Sequence, residues 1–395
     1  MKLTFWLSIA FVAYVYVGYP AVLELWARAR ARDRRAPGGT GGTAALPGVT
    51  IVVAAHNEGF RLGPRLENLR SLDYPPARRQ IVVVSDGSTD DTTDVVGRYA
   101  SSAELVVVAR GGKALALNAG VERARFDIIV FADARQTFAP DALRQLVAPF
   151  SDPAVGGVTG ELLLDCESAL FANRRLTADR RRVNAVDLPS TTSQRRTTTD
   201  RRSAIQSSIG DGVGLYWRYE KHLRRLESAI ASTLGATGAI YAIRRALWTP
   251  LPAETILDDV LTPMRVVMAG YRVVFEERAR AYDRAPADAD AESRRKIRTL
   301  AGNFQILSLE PRLMAPWRNP VWFQYLSHKI GRLLAPYALL AAFCATVALA
   351  QHSYFYLTVL VAEVAFLALA GYGALLEHRV RMPAPLPGVP ARDPA

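Results

Sequence analysis

Only two cysteines occur in the 395 residues, Cys166 in a polar stretch and Cys344 in an apolar one. So few thiols, so differently placed, exclude a disulfide framework and a zinc site built on thiolates. Charge is missing from three long stretches. Phe5 to Leu23 and Leu333 to Ala350 have no charged residue, and Tyr354 to Leu376 has only Glu363. Each is long enough to cross a bilayer core. Acidic residues are also in deficit, 37 against 49 basic ones, and the net charge of +12 is carried almost entirely by arginine. Such an excess points to lipid headgroups, nucleotide phosphates or nucleic acid. Nucleic acid is disfavoured because the arginines scatter over linker, insertion and membrane flanks and form no single recognition element.

The first apolar run is followed by Arg28, Arg30, Arg32, Arg34 and Arg35. A cleaved leader carries its basic residues ahead of the apolar run, so residues 1–27 read as a transmembrane anchor. The last two runs are separated only by Gln351, His352 and Ser353 and form a hairpin over 333–377, followed by a tail, 378–395. Lys329 and Arg332 precede the hairpin and Arg379 and Arg381 follow it, with no basic residue in its turn. The positive-inside rule then places the middle of the chain and the tail in the cytoplasm and the N-terminus outside. This is the pattern of a multi-pass protein of the cell (inner) membrane. Between 311 and 332, Trp317, Trp322, Phe323, Tyr325 and Leu326 mix with basic residues. The segment fits an interfacial helix or an amphipathic core helix equally well.

Residues 28–48 form a basic linker that becomes Gly/Thr-rich from Pro37 to Pro47. Beyond it, 49–310 alternates short β-branched runs with helical patterns. Val49–Ala55, Gln80–Ser85, Glu104–Ala109 and Asp127–Ala132 read as strands, and a helix opened by Asp90 runs to Ala100. This alternation predicts an α/β domain with a mostly parallel sheet. Three strands end in polar clusters: His56-Asn57-Glu58, Asp86-Gly87-Ser88 and Asp133-Ala134-Arg135. Any single acid there reads equally as a helix cap. Together they converge on the crevice outside the carboxyl ends of the strands, where open sheets bind ligands. The third connection adds Gly111-Gly112-Lys113, whose glycines admit a ligand to the backbone and whose lysine brings a mobile positive charge. Asn173 to Ser208 is rich in Arg, Ser and Thr, lacks apolar periodicity and reads as a mobile insertion.

The set His56-Asn57-Glu58, Asp86-Gly87-Ser88-Thr89-Asp90, Gly112-Lys113 through Asn118, and Asp133 resembles glycosyltransferase family 2. Further along, Asp258-Asp259-Val260-Leu261-Thr262 is similar to that family's acidic pair before a helix. Arg295-Lys296-Ile297-Arg298-Thr299, continued by Gly302 and Gln305, lies where its membrane-embedded synthases carry Gln-x-x-Arg-Trp. Those synthases make cellulose, chitin, hyaluronan or poly-N-acetylglucosamine. The resemblance implies a Rossmann-like GT-A nucleotide-diphosphosugar transferase domain, with one N-terminal and two C-terminal transmembrane helices around it.

It further implies an inverting, metal-dependent hexosyl- or N-acetylhexosaminyltransferase. The donor would be a nucleotide-sugar, UDP-linked, and the acceptor a glycan or a lipid-linked species at the membrane; partner export subunits are conceivable. His56, Glu58, Asp86, Lys113, Asp133, Arg295 and Arg298 would bind the donor, with Asp133 holding Mg²⁺ or Mn²⁺. Asp259 would be the general base, its proton affinity raised by Asp258. Thr237, Gly238 and Asp258 would line the acceptor side. Two positions depart from the pattern. Arg135 stands where the second acid of Asp-x-Asp is common and could share the charge compensation, and Thr299 replaces the aromatic platform of processive synthases. They leave open a non-processive lipid glycosyltransferase, or a degenerate scaffold that binds nucleotide-sugar without turnover.

Overall fold

The computed structural model describes residues 1–33, 46–164, 217–283 and 289–381. The expected insertion at 173–208, most of the linker and the end of the tail lie outside the described residues. The chain divides into two compact units, Pro20–Lys329 and a unit formed by Met1–Tyr19 with Ile330–Ala395.

The larger unit is built on an eight-stranded mixed sheet in the order β3-β2-β1-β4-β7-β6-β8-β5. Its first half is parallel: β1 (Val49–Ala55), β2 (Arg79–Asp86), β3 (Glu104–Val108) and β4 (Ile128–Asp133). These strands are runs of β-branched and apolar residues, the pattern of strands buried on both faces. One face of β1 and β2 sets Ile51, Val53, Ile81 and Val83 against Leu62, Leu66 and Leu69 of the helix Gly59–Arg70. On the other face Val82 and Val84 pack on Ala116 of the helix Lys113–Glu122.

The second half contains β5 (Thr137–Phe138), β6 (Val155–Leu164), β7 (Ile240–Arg244) and β8 (Arg272–Asp283). β7 runs antiparallel to both β4 and β6, and β8 is parallel to β6. The four predicted parallel strands match the observed ones to within about one residue at each end. The helix expected over Asp90–Ala100 is shorter, Thr92–Gly97. Asp90 stays outside it: Oδ1 accepts the Thr92 amide at 3.0 Å while Oδ2 accepts the Gly59 amide at 3.1 Å. That bond ties the residue to the neighbouring loop.

Strand register levels the ends of β1, β2 and β4. Ala55 pairs with Ser85 and Ala54 with Asp133, so His56, Asp86 and Asp133 emerge along one edge. The strand order reverses between β1 and β4, the switch point at which such sheets open a ligand crevice.

Three helices are long and apolar enough to cross a membrane: Lys2–Arg30, Trp322–Leu349 and Tyr354–Gly373. The last two helical runs are joined by the short turn Ala350–His352, in the place expected for the hairpin turn. The helical run of the second span begins at Trp322, so part of the segment read as interfacial is continuous with it. Within the smaller unit, Phe5 packs edge-on to Tyr356 at 5.2 Å, beside buried Ala342 and Ala345.

Candidate active site

The loops after β1 and β2 are clasped together. Asn57 adopts a left-handed backbone, φ 54°, which asparagine tolerates better than most residues. Its Oδ1 accepts the Thr89 amide at 2.8 Å, and its own amide donates to Ser88 Oγ at 3.1 Å. His56 Nδ1 donates to the Asp86 carbonyl at 2.7 Å, and Arg110 donates to Nε2 at 2.8 Å. A carbonyl can only accept and a guanidinium only donate, so the two partners assign the ring proton to Nδ1. Arg110 escaped notice in the sequence because it follows β3, which ends without an acid.

Asp86 is buried, and its carboxylate accepts the backbone amides of Gly111 at 2.7 Å and Gly112 at 3.0 Å. It thereby fixes the Gly-Gly-Lys connection. Glu58 begins the next helix and pairs with Arg61 at 2.6 Å.

Lys113 is not a mobile charge, as the loop composition had implied. It opens the helix Lys113–Glu122, and its Nζ lies 3.2 Å from both Asp133 Oδ1 and Asp258 Oδ1. Burial alone would lower its pKa, but the carboxylates of Asp133, Asp258 and Asp259 outweigh that and raise it. Behind Asp133, Arg65 is buried with its guanidinium 4.2 Å over the Phe138 ring. Burial pushes this arginine down to about 9, against the opposing attraction of Asp133.

The acidic pair occupies the first turn of the helix Asp258–Met268, where the helix dipole favours negative charge. Asp258 is buried, with Tyr241 Oη donating to its Oδ2 at 3.5 Å. The Asp259 carboxyl is pushed up to about 6, first by burial and then by the Asp258 charge, with Lys113, Lys329 and Arg224 pulling the other way. A base with that proton affinity is ionised near neutrality and still takes a proton readily.

The loop expected on the acceptor side lies directly against Asp259. A Cβ added to Gly238 would stand 2.9 Å from Asp259 Oδ2, so glycine is what admits the carboxylate there. Thr237 is held by its amide on Thr159 Oγ1 at 2.8 Å and by Arg224 on its own Oγ1 at 2.5 Å.

Arg295 and Arg298 lie on the helix Ala289–Leu309, which docks on the strap before the acidic pair. Gln305 accepts the Ile256 amide at 2.9 Å and donates to the Glu254 carbonyl at 2.8 Å. A Cβ at Gly302 would stand 2.4 Å from Leu257 Cγ, so the close approach requires glycine. Arg298 donates to the Ile256 carbonyl at 3.3 Å, which brings it to the approach of Asp258. Arg295 instead lies 6.0 Å from the Trp217 ring centroid, and Thr299 turns its hydroxyl back to the Arg295 carbonyl at 2.9 Å.

Arg135, which its sequence position had offered for the crevice charge balance, is bonded to Asp283. Its Nε and Nη2 bond Asp283 Oδ2 at 3.1 and 2.5 Å, and Gln136 Nε2 joins them at 2.9 Å. Among the described residues no group of three or more His, Cys, Asp or Glu side chains gathers to cage a metal. The half-exposed carboxylate of Asp133 does suit a hard cation that takes one or two carboxylates and completes its shell with phosphate oxygens.

The sequence model of the family described as "Glycosyltransferase like family 2" matches residues 47–302. A poly-beta-1,6-N-acetyl-D-glucosamine synthase of Staphylococcus aureus is 21% identical over 266 residues, covering 66% of this chain and 56% of the relative. The Staphylococcus epidermidis enzyme of the same name is 20% identical over the same extent. This chain thus spans little more than half the length of these relatives. Among solved structures, a mannosyltransferase from Pyrobaculum calidifontis in complex with GDP-Man and Mn²⁺ superposes with a TM-score of 0.64 at 24% identity. That match covers 93% of this chain and 92% of the other, and it carries the fold.

Proposed function

This chain belongs to glycosyltransferase like family 2, and we propose that it is an inverting transferase moving a sugar from a nucleotide-diphosphosugar to a glycan or lipid-linked acceptor at the cytoplasmic membrane face. The observation that carries this reading is the convergence of Asp133 and the Asp258-Asp259 pair on one lysine at the carboxyl edge of the sheet. Read this way, a donor-side carboxylate and the general base share one crevice.

In this reading the nucleotide lies over the clasped loops bearing His56, Glu58 and Asp86, the donor being UDP-linked. Asp133 would hold Mg²⁺ or Mn²⁺ against the diphosphate, and the metal would offset charge on the leaving group. Lys113 and Arg298 add positive charge on the same side. Asp259 takes the proton from the acceptor hydroxyl as that oxygen attacks the anomeric carbon. No protein nucleophile intervenes, so an α-linked donor gives a β-linked product. Thr237 and Gly238 let the acceptor ring approach the backbone beside the base. Thr299, bonded to its own helix, supports addition of one or a few sugars over processive synthesis. The three apolar helices support membrane anchoring.

The test uses full-length protein in detergent with a panel of UDP- and GDP-sugars and Mg²⁺ or Mn²⁺, following nucleoside diphosphate release. Metal-dependent release from one donor, reduced about 10²- to 10⁴-fold in Asp259→Asn, is expected. A wild-type protein that binds a donor but never turns it over, even with membrane extract present, would overturn the reading.

A further inference from the structure

The helix Asp258–Met268 contains Pro263, four residues after Asp259. In an unbroken helix the amide of residue 263 would donate to the Asp259 carbonyl. Proline has no amide hydrogen, and its ring crowds the carbonyl four residues back, tilting it away from the axis. The Asp259 carbonyl is nevertheless satisfied, because it accepts the Ala236 amide at 2.7 Å. Ala236 is buried and immediately precedes Thr237 and Gly238. One residue therefore touches the acceptor-side loop twice, through its carbonyl at Ala236 and through its carboxylate beside Gly238.

We propose that Pro263 is a positioning residue, reserving the Asp259 carbonyl for Ala236 and so setting the acceptor-side loop against the base. This rests on the assignment of Asp259 as base. A helical amide at 263 competes for that carbonyl and draws it back along the helix axis. The loop then loses the bond closest to the base, while its anchors on Thr159 and Arg224 remain. The donor-side residues lie on other elements, at the ends of β1, β2 and β4, on the Gly-Gly-Lys connection and on the helix Ala289–Leu309.

The experiment compares full-length wild type and Pro263→Ala in detergent by amide hydrogen exchange resolved at Ala236, alongside donor turnover. The Ala236 amide is expected to be protected in wild type and to exchange at least about tenfold faster in Pro263→Ala, with the amides that Asp258–Met268 has in both proteins unchanged. Turnover is expected to fall roughly tenfold or more in kcat with the donor KM unchanged. Equal protection in the two proteins, or a kcat unchanged by the substitution, overturns the proposal. An unprotected Ala236 amide in wild type overturns it without recourse to the variant. If wild type turns over no donor, the proposed function fails, while the exchange data still decide whether Pro263 positions the loop.

Discussion

The ammonium of Lys113 stands 3.2 Å from Asp258 Oδ1 and equally close to Asp133 Oδ1, joining the end of β4 to the acidic pair. This cation bridges acids from two distant parts of the chain. Its removal leaves Asp133, Asp258 and Asp259 to repel one another within a partly buried crevice.

Substitution of Lys113 by methionine is therefore expected to lower kcat/KM for the donor by more than about tenfold, since a charge-assisted partner of a buried carboxylate is lost. Steady-state release of nucleoside diphosphate checks this, and an unchanged kcat/KM counts against the bridge.

Asp259 must be ionised to accept a proton, and burial together with Asp258 places its pKa at about 6. The rate should therefore be level above neutrality and fall as pH drops through about 6, approaching tenfold per unit. Arg224 pulls that value down, so Arg224→Gln should move the acid limb of the profile to higher pH. A profile of kcat against pH for both proteins measures the shift; movement to lower pH contradicts it.

Gly238→Ala places a methyl 2.9 Å from Asp259 Oδ2. Asp259 or the loop must give way, and kcat is expected to fall roughly tenfold or more while donor affinity holds. Donor binding by calorimetry beside turnover separates the two effects. Equal losses in both would place Gly238 elsewhere in the reaction.

Replacing Arg135 by aspartate restores the Asp-x-Asp spelling but removes the charged Arg135 partner of buried Asp283 and sets a second carboxylate beside it. Stability is expected to fall by about 1–2 kcal/mol, the lower range for a charge-assisted bond because Arg135 is more than half exposed. Thermal unfolding measures the loss, and metal titration of donor turnover should show no lower metal requirement. Tighter metal use in the variant would show that position 135 reaches the crevice after all.

Composition and periodicity by themselves determined the parallel half of the sheet, since β-branched runs bounded by Gly, Asp and Asn have few other ways to bury both faces. They also determined the acids at the ends of β1, β2 and β4, and the three apolar spans, which need only length and absence of charge. The second half of the sheet was not legible, because β7 pairs with β4 and β6, and β8 with β6, across long separations in sequence. Tertiary structure alone decided what the charged residues do. Arg135 reaches Asp283 across 148 positions of sequence and Asn118 holds the Leu251 backbone across 133. Lys113 turns inward to two acids, and the Asp259 carbonyl, freed by Pro263, finds Ala236. A side chain's partner is set by whatever the fold brings within about 3 Å, and local pattern carries no record of that distance.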